Sequence, residues 1–173
     1  MTKIYSKIGD EGTTKNLSGE TVHKDDCEIE VIGLLDSLMS QMDKVLYGLN
    51  ILPKETHQLN ICNNINTLLW QFGGEISGKK ILELIKTPIE KIHIEIIEKE
   101  IDNLSNNALH KFTRFCNPIA MDIDEARIRT RKLERELTKY LRENKLRKTA
   151  YIYINRLSDY LFVLANYINK IYG

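Results

Sequence analysis

Arg127, Arg131, Glu134 and Arg135 recur at helical spacing, which puts them on one stripe of a helix. Ala126, Thr130, Leu133, Leu137 and Leu141 form the apolar stripe beside them, the pattern of an amphipathic helix packed on a core. Arginines lined up this way repel one another unless an anion meets them. A polyphosphate, gripped by planar guanidinium forks, suits the spacing. A second amphipathic segment sets Asn155, Arg156 and Asp159 next to Leu157, Leu161, Leu164 and Ile168. The plain alternative is that Glu134 pairs with Arg131 and Arg127, leaving a surface ion-pair ladder of little energetic weight.

A second candidate is the stretch from Tyr5 to Lys15, which holds Ser6, Lys7, Gly9, Gly12, Thr13 and Thr14. Glycines let backbone N–H groups approach phosphate, hydroxyls donate, and Lys7 adds charge. The Gly-Lys-Ser/Thr spacing of a Walker A loop is absent. A flexible polar tail is the competing reading. Lys24, followed by Asp25 and Asp26, is either a phosphate ligand or a solvated charge ahead of a helix.

Asp36 falls within the apolar run Ile32 to Leu38. A carboxylate on such a face is costly unless paired, so an arginine from another helix or subunit is its expected partner, solvent the alternative. Glu90 and His93 have the Glu-x-x-His form of a di-iron bundle, but the further helical carboxylates such a site requires are missing. Tyr151, Tyr153, Tyr160 and Tyr167 read as core and interface residues.

The chain has 173 residues, 28% of them charged, and a formal net charge of +1. That length suits one domain, and near-neutrality argues against general nucleic-acid binding. Cys27, Cys62 and Cys116 are an odd number at no metal spacing, which predicts free thiols in a reducing cytosol. No run approaches a membrane span, and the N-terminus has no apolar signal region. The expectation is a soluble, cytoplasmic protein.

Residues 1–26 read as a polar, glycine-punctuated loop, long enough to be functional. From Cys27 onward the periodicity is helical. The first helix carries Ile32, Leu35, Met39, Met42, Leu46 and Leu49 and stops at Pro53; the second carries Ile61, Ile65, Leu68, Leu69, Phe72 and Ile76 and ends at Gly78. Thr87-Pro88-Ile89-Glu90 predicts an N-cap, a proline at the first helical position and an acidic first turn. A third helix continues through Leu104, a fourth runs from Pro118 to about Leu141, and a fifth from about Arg147 to Tyr172. No strand alternation stands out. The fold class is all-α, a five-helix up-and-down bundle of one domain with an N-terminal loop.

These motifs, in this order, resemble the PduO-type ATP:cob(I)alamin adenosyltransferases, and the resemblance covers nearly the whole chain. Residues 3–14 look like the family's opening loop, Thr-Lys-Thr-Gly-Asp-x-Gly; Gly19-Glu20 with Lys24-Asp25-Asp26 looks like its second part. Arg127, Arg131, Glu134 and Arg135 match the arginine-rich helix, and Asn155-Arg156-Leu157-Ser158-Asp159 matches the Asn-Arg-Leu-Ser-Asp helix.

The resemblance implies a homotrimer with active sites between subunits, ATP, Mg²⁺ and cobalamin as bound groups, and transfer of the 5′-deoxyadenosyl group of ATP to cob(I)alamin. A reductase and an adenosylcobalamin-dependent enzyme are the further partners it implies. Ser6, Lys7, Gly9, Thr14 and Lys24 would contact the nucleotide. Arg131, Glu134, Arg135 and Asn155 would fix triphosphate, metal and ribose, with Glu134 toward Mg²⁺. Phe112 would cover the lower face of the corrin, and Asp36 would pair with Arg127 across the interface. The family's Asp-Glu-Leu-Asn is here Asp36-Ser37-Leu38-Met39, its Arg-Arg pair ends in Lys132, a histidine is replaced by Asp124, an arginine by Thr21, and the Pro-Gly-Gly after the phenylalanine is altered around Phe115-Cys116-Asn117. The nucleotide half of the pattern is therefore closer to the family than the corrin half. A trimer that binds ATP or a corrinoid without turnover is the alternative function, and a helical scaffold a third.

Overall fold

The computed structural model describes residues 5, 7, 9–16, 18–76, 89–105, 114–143 and 147–173. Among them are five helices, α1 (Cys27–Ile51), α2 (Thr56–Ile76), α3 (Lys91–Ser105), α4 (Pro118–Glu143) and α5 (Lys148–Tyr172), preceded by two short strands, β1 (Thr13–Lys15) and β2 (Thr21–His23). None of the described helices is long and apolar enough to cross a membrane.

The helical periods read from the sequence for α1, α2, α4 and α5 lie on the faces packed in the core, whereas on α3 Ile94 and Ile97 are buried and Ile92 and Ile96 are exposed. Val31, Leu35, Leu38, Met42 and Val45 of α1 meet Leu69 and Phe72 of α2, Ile123, Leu133 and Leu137 of α4, and Ile154, Leu157 and Leu161 of α5 in one core. α1 packs on both α2 and α4, α4 on α5, and α5 on α3. Tyr153 and Tyr160 are buried in the core, as expected. The Tyr160 hydroxyl donates to Gln58 Oε1 at 2.7 Å, and Gln58 Nε2 lies 3.4 Å from Glu100 Oε2, so a polar thread through the core ties α5 to α2 and α3.

Chain punctuation also follows the sequence. α1 ends at Ile51, with the Leu52 N–H closing on the Leu49 carbonyl, immediately before Pro53. Two local expectations are corrected. Ile89 and Glu90 precede α3 instead of forming its first turn; the Glu90 N–H donates to His93 Nδ1 at 2.9 Å, so an imidazole closes this end of the helix. Thr87, Pro88 and Gly78 lie outside the described residues. The loop of residues 1–26, expected without strands, contains the antiparallel pair β1–β2, in register Thr14 opposite Val22. Three-residue strands are too short to show alternation. The turn between them is instead set by Asn16, whose Oδ1 accepts the Glu20 N–H at 2.9 Å, and by Gly19 at φ +83°, a left-handed position that favours glycine.

Candidate functional site

The polar centre of the molecule is the seam between α4 and α5. Glu134 is only 8% exposed, and each of its oxygens is engaged. Arg131 Nη1 donates to Oε2 at 2.7 Å, and Asn155 Nδ2 donates to Oε1 at 2.6 Å. A carboxylate this buried requires such partners. α4 supplies Arg131 and Glu134 one turn apart, and antiparallel packing brings Asn155 of α5 across from them.

The constellation extends onto a third helix. Arg156 Nη1 donates to Asn155 Oδ1 at 3.0 Å, and Arg156 Nε donates to Glu98 Oε1 of α3 at 2.7 Å. Beside this chain opens a groove of about 610 Å³, lined by Arg127, Arg131 and Arg156 on the cationic side, Glu98, Asp102 and Asp159 on the anionic side, and Ile101, Phe162 and Val163 as apolar wall. Burial pushes the Asp159 carboxyl above its ordinary range, with Arg156 and Arg131 pulling the other way. The groove thus offers guanidinium donors for an anion beside an apolar surface for a large flat group.

The charged stripe divides. Arg131 takes Glu134 as the ion-pair reading anticipated, but Arg127 does not: its Nε donates to Asp124 Oδ1 at 2.6 Å, one turn back on α4. Arg135 is exposed and has no ion-pair partner among the described residues. Asp36 is exposed on α1, opposite the face that buries Leu34, Leu35 and Leu38. This corrects its expected place on the apolar face: the run is apolar in sequence, but a helix turns this one position outward. It has no partner among the described residues.

The N-terminal segment organises itself. Lys24 Nζ donates to the Gly9 carbonyl at 2.7 Å, and the Lys24 N–H donates to the Gly12 carbonyl at 2.9 Å. A Cβ on Gly9 would stand 3.0 Å from that Nζ and 3.3 Å from the Thr13 carbonyl oxygen. Gly12 and Lys7 both have left-handed φ, +81° and +61°. Thr14 sits in β1. Among the described residues Lys7, Gly9, Thr14 and Lys24 make no hydrogen bond or ion pair to Arg131, Glu134, Arg135 or Asn155. Ser6 and Phe112 lie outside the described residues.

The groove residue that sequence reasoning missed is Glu98, together with Asp102 on the same helix. α3 was legible as a helix, and nothing in its own spacing singles out Glu98 or Asp102. The missing signal was Arg156, a cation on α5 that has to face something.

Residues 4–168 match the profile of the family described as Cobalamin adenosyltransferase. A corrinoid adenosyltransferase of Citrobacter freundii is 35% identical over 172 residues, covering 95% of this chain and 94% of that protein. The corrinoid adenosyltransferase MMAB of Homo sapiens is 29% identical over 174 residues, covering 95% of this chain and 68% of the human protein. Among solved structures, a variant PduO-type ATP:corrinoid adenosyltransferase from Lactobacillus reuteri, complexed with cobalamin and ATP, superposes with a TM-score of 0.80 at 27% identity, covering 97% of this chain and 94% of that one. Five helices in the matching arrangement, an arginine–glutamate–asparagine seam and a profile match over nearly the whole length place this chain in the cobalamin adenosyltransferase family.

Proposed function

We propose that the protein transfers the 5′-deoxyadenosyl group of ATP to the cobalt of cob(I)alamin, releasing triphosphate. The observation that carries this reading is the Arg131–Glu134–Asn155 constellation at the edge of a groove that sets three guanidinium groups and three carboxylates beside an apolar wall. Cob(I)alamin is itself a strong nucleophile, so the protein has no need to furnish one. The cobalt electron pair forms the bond to C5′, the C5′–O bond breaks, and its electrons leave on the triphosphate.

The chain's task is then positioning and charge stabilisation. Arg131 is held on one edge by Glu134, which leaves its other N–H groups to meet phosphate oxygens, and exposed Arg135 meets the same chain of phosphates. Asn155 adds a fixed dipole. Asp159, Phe162 and Val163 line the side where the corrin would rest. The resemblance gives Phe112, which lies outside the described residues, the role of keeping the lower ligand off the cobalt, which would make Co(II) easier to reduce.

Mg²⁺ is the metal this reading calls for, with Glu134 as its protein ligand. Each Glu134 oxygen carries one hydrogen bond and keeps a lone pair. A single carboxylate completed by water and phosphate oxygens is the usual setting of this ion. When bound it supplies positive charge along the triphosphate.

The active unit in this reading is a homotrimer. Its support is that, among the described residues of one chain, Lys7, Gly9, Thr14 and Lys24 make no hydrogen bond or ion pair to Arg131, Glu134, Arg135 or Asn155: a neighbouring copy would bring the first set to the second. Asp36, exposed and without a partner among the described residues, would then reach Arg127 of the neighbour in competition with Asp124.

The test is Arg131→Ala. Removing one donor aimed at developing charge typically costs about 10²–10³ in turnover, and corrinoid affinity should stay within about twofold of wild type. Unchanged turnover would overturn the assignment. MgATP should also raise the melting temperature, because a ligand of the folded state stabilises it.

A further inference from the structure

The geometry points to Glu98 of α3 as a positioning residue that fixes the orientation of the Asn155 amide, and through it the Glu134–Arg131 pair. This inference rests on the proposed transferase reading. An asparagine amide has two nearly isosteric ends, a carbonyl oxygen that only accepts and an NH₂ that only donates. Asn155 sits between a carboxylate and a guanidinium. Glu134 Oε1 lies 2.6 Å from one end and Arg156 Nη1 3.0 Å from the other. A guanidinium can only donate. While Arg156 is in place, the oxygen must face it and the NH₂ must face Glu134; a flipped amide would set NH₂ against guanidinium and oxygen against carboxylate.

Arg156 does not hold this place by itself. Its Nε donates to Glu98 Oε1 at 2.7 Å, whereas Asp159 Oδ2 stands 4.0 Å from Nη1, beyond hydrogen-bond reach. The side chains of Arg156 and Glu98 are 39% and 44% exposed. The pair is therefore worth little to global stability and is available for orientation. The order Glu98, Arg156, Asn155, Glu134, Arg131 alternates acceptor and donor without a break, running from α3 through α5 to α4. Removing Glu98 frees Arg156 to swing into the groove, where Asp102 and Asp159 compete for it, and leaves the Asn155 amide held from its Glu134 side alone.

The experiment is anaerobic steady-state kinetics on the full chain for wild type, Glu98→Ala, Glu98→Gln, Asn155→Ala and the Glu98→Ala/Asn155→Ala double variant. Glu98→Ala should lower kcat/KM for ATP about tenfold, one good hydrogen-bond orientation. The KM for cob(I)alamin and the melting temperature should be unchanged. Glu98→Gln, which keeps an acceptor for Arg156, should recover at least half of the logarithmic loss. In the Asn155→Ala background, Glu98→Ala should cost less than twofold. Where turnover of the double variant falls below detection, the MgATP dissociation constant from equilibrium dialysis gives the same comparison. An equal cost in both backgrounds, or a loss confined to the cob(I)alamin KM, overturns the inference. Wild-type protein without ATP-dependent adenosyl transfer would sink the transferase reading itself; active wild type with an unaffected Glu98→Ala would sink only the role of Glu98.

Discussion

Asn155 and Glu134 face each other across the α4–α5 seam with 2.6 Å between Nδ2 and Oε1, and the carboxylate has almost no contact with solvent. Both residues are polar, both lie beside apolar helical faces, and the Asn155 NH₂ meets one oxygen of Glu134. Glu134→Ala would leave the Asn155 amide and one edge of Arg131 without an acceptor. The expected outcome is a stability loss of about 1–3 kcal/mol in urea unfolding. Turnover should fall by about 10²-fold, the scale of removing one group that organises transition-state charge. A drop in stability with turnover intact would show that the seam only holds the bundle together.

The Lys24–Gly9 contact makes a separate prediction about the N-terminal segment. Gly9→Val crowds Lys24 Nζ and the Thr13 carbonyl, and Lys24→Ala removes the donor that holds the Gly9 carbonyl. Both should raise the KM for ATP severalfold while leaving the melting temperature within about 2 °C, because the segment contributes little to the core. Titrations of the two variants with MgATP, followed by turnover and by melting, check this.

Gly48 is buried between α1 and α4, and a Cβ there would stand 2.9 Å from Cγ2 of Ile119. Gly48→Ala should destabilise by about 1–3 kcal/mol through overpacking. Adding Ile119→Ala, which removes both Cγ atoms that the new methyl group would meet, should offset part of the crowding. Non-additivity in a double-mutant cycle of urea midpoints is the readout.

The fold was legible because each helix presents one uninterrupted apolar stripe, as Ile61, Ile65, Leu68 and Phe72 do on α2. Pro53 and Pro118 mark ends that no packing term has to decide. The hairpin was not legible, since three-residue strands leave no periodic trace and Asn16 and Gly19 specify only the turn. Within the site, Arg131, Glu134 and Asn155 were legible as a set because each is a polar intrusion beside an apolar face. Asp36 stayed open between a buried partner and solvent for the converse reason: its neighbours in sequence are apolar, while the helical rotation places it outside. Glu98 was hidden because its partner Arg156 lies on a helix distant in sequence, and one-dimensional spacing carries no record of that approach.

Thiol chemistry separates the cysteines. Cys62 is fully buried, and burial pushes its thiol from 9.0 to about 12, whereas Cys116 is exposed. At pH 8 a disulfide-exchange reagent should modify Cys116 in the native protein and Cys62 only after unfolding. The raised Cys62 value also fixes a sign. Below pH 9 the thiol is protonated in both states. Between 9 and about 12 the unfolded chain loses the proton first, so stability falls as pH rises through that window. Urea midpoints of wild type and Cys62→Ala should converge there as the pH increases.

The most direct test of the central claim is anaerobic spectrophotometry of cob(II)alamin with a reductant, the purified full chain and MgATP. The account predicts growth of the adenosylcobalamin spectrum, dependent on both protein and ATP and lost in Arg131→Ala. A shift to the base-off Co(II) spectrum without product, or no spectral change, would contradict it: the first would make the protein a corrinoid-binding relative without turnover, the second a helical protein that does not act on the corrinoid.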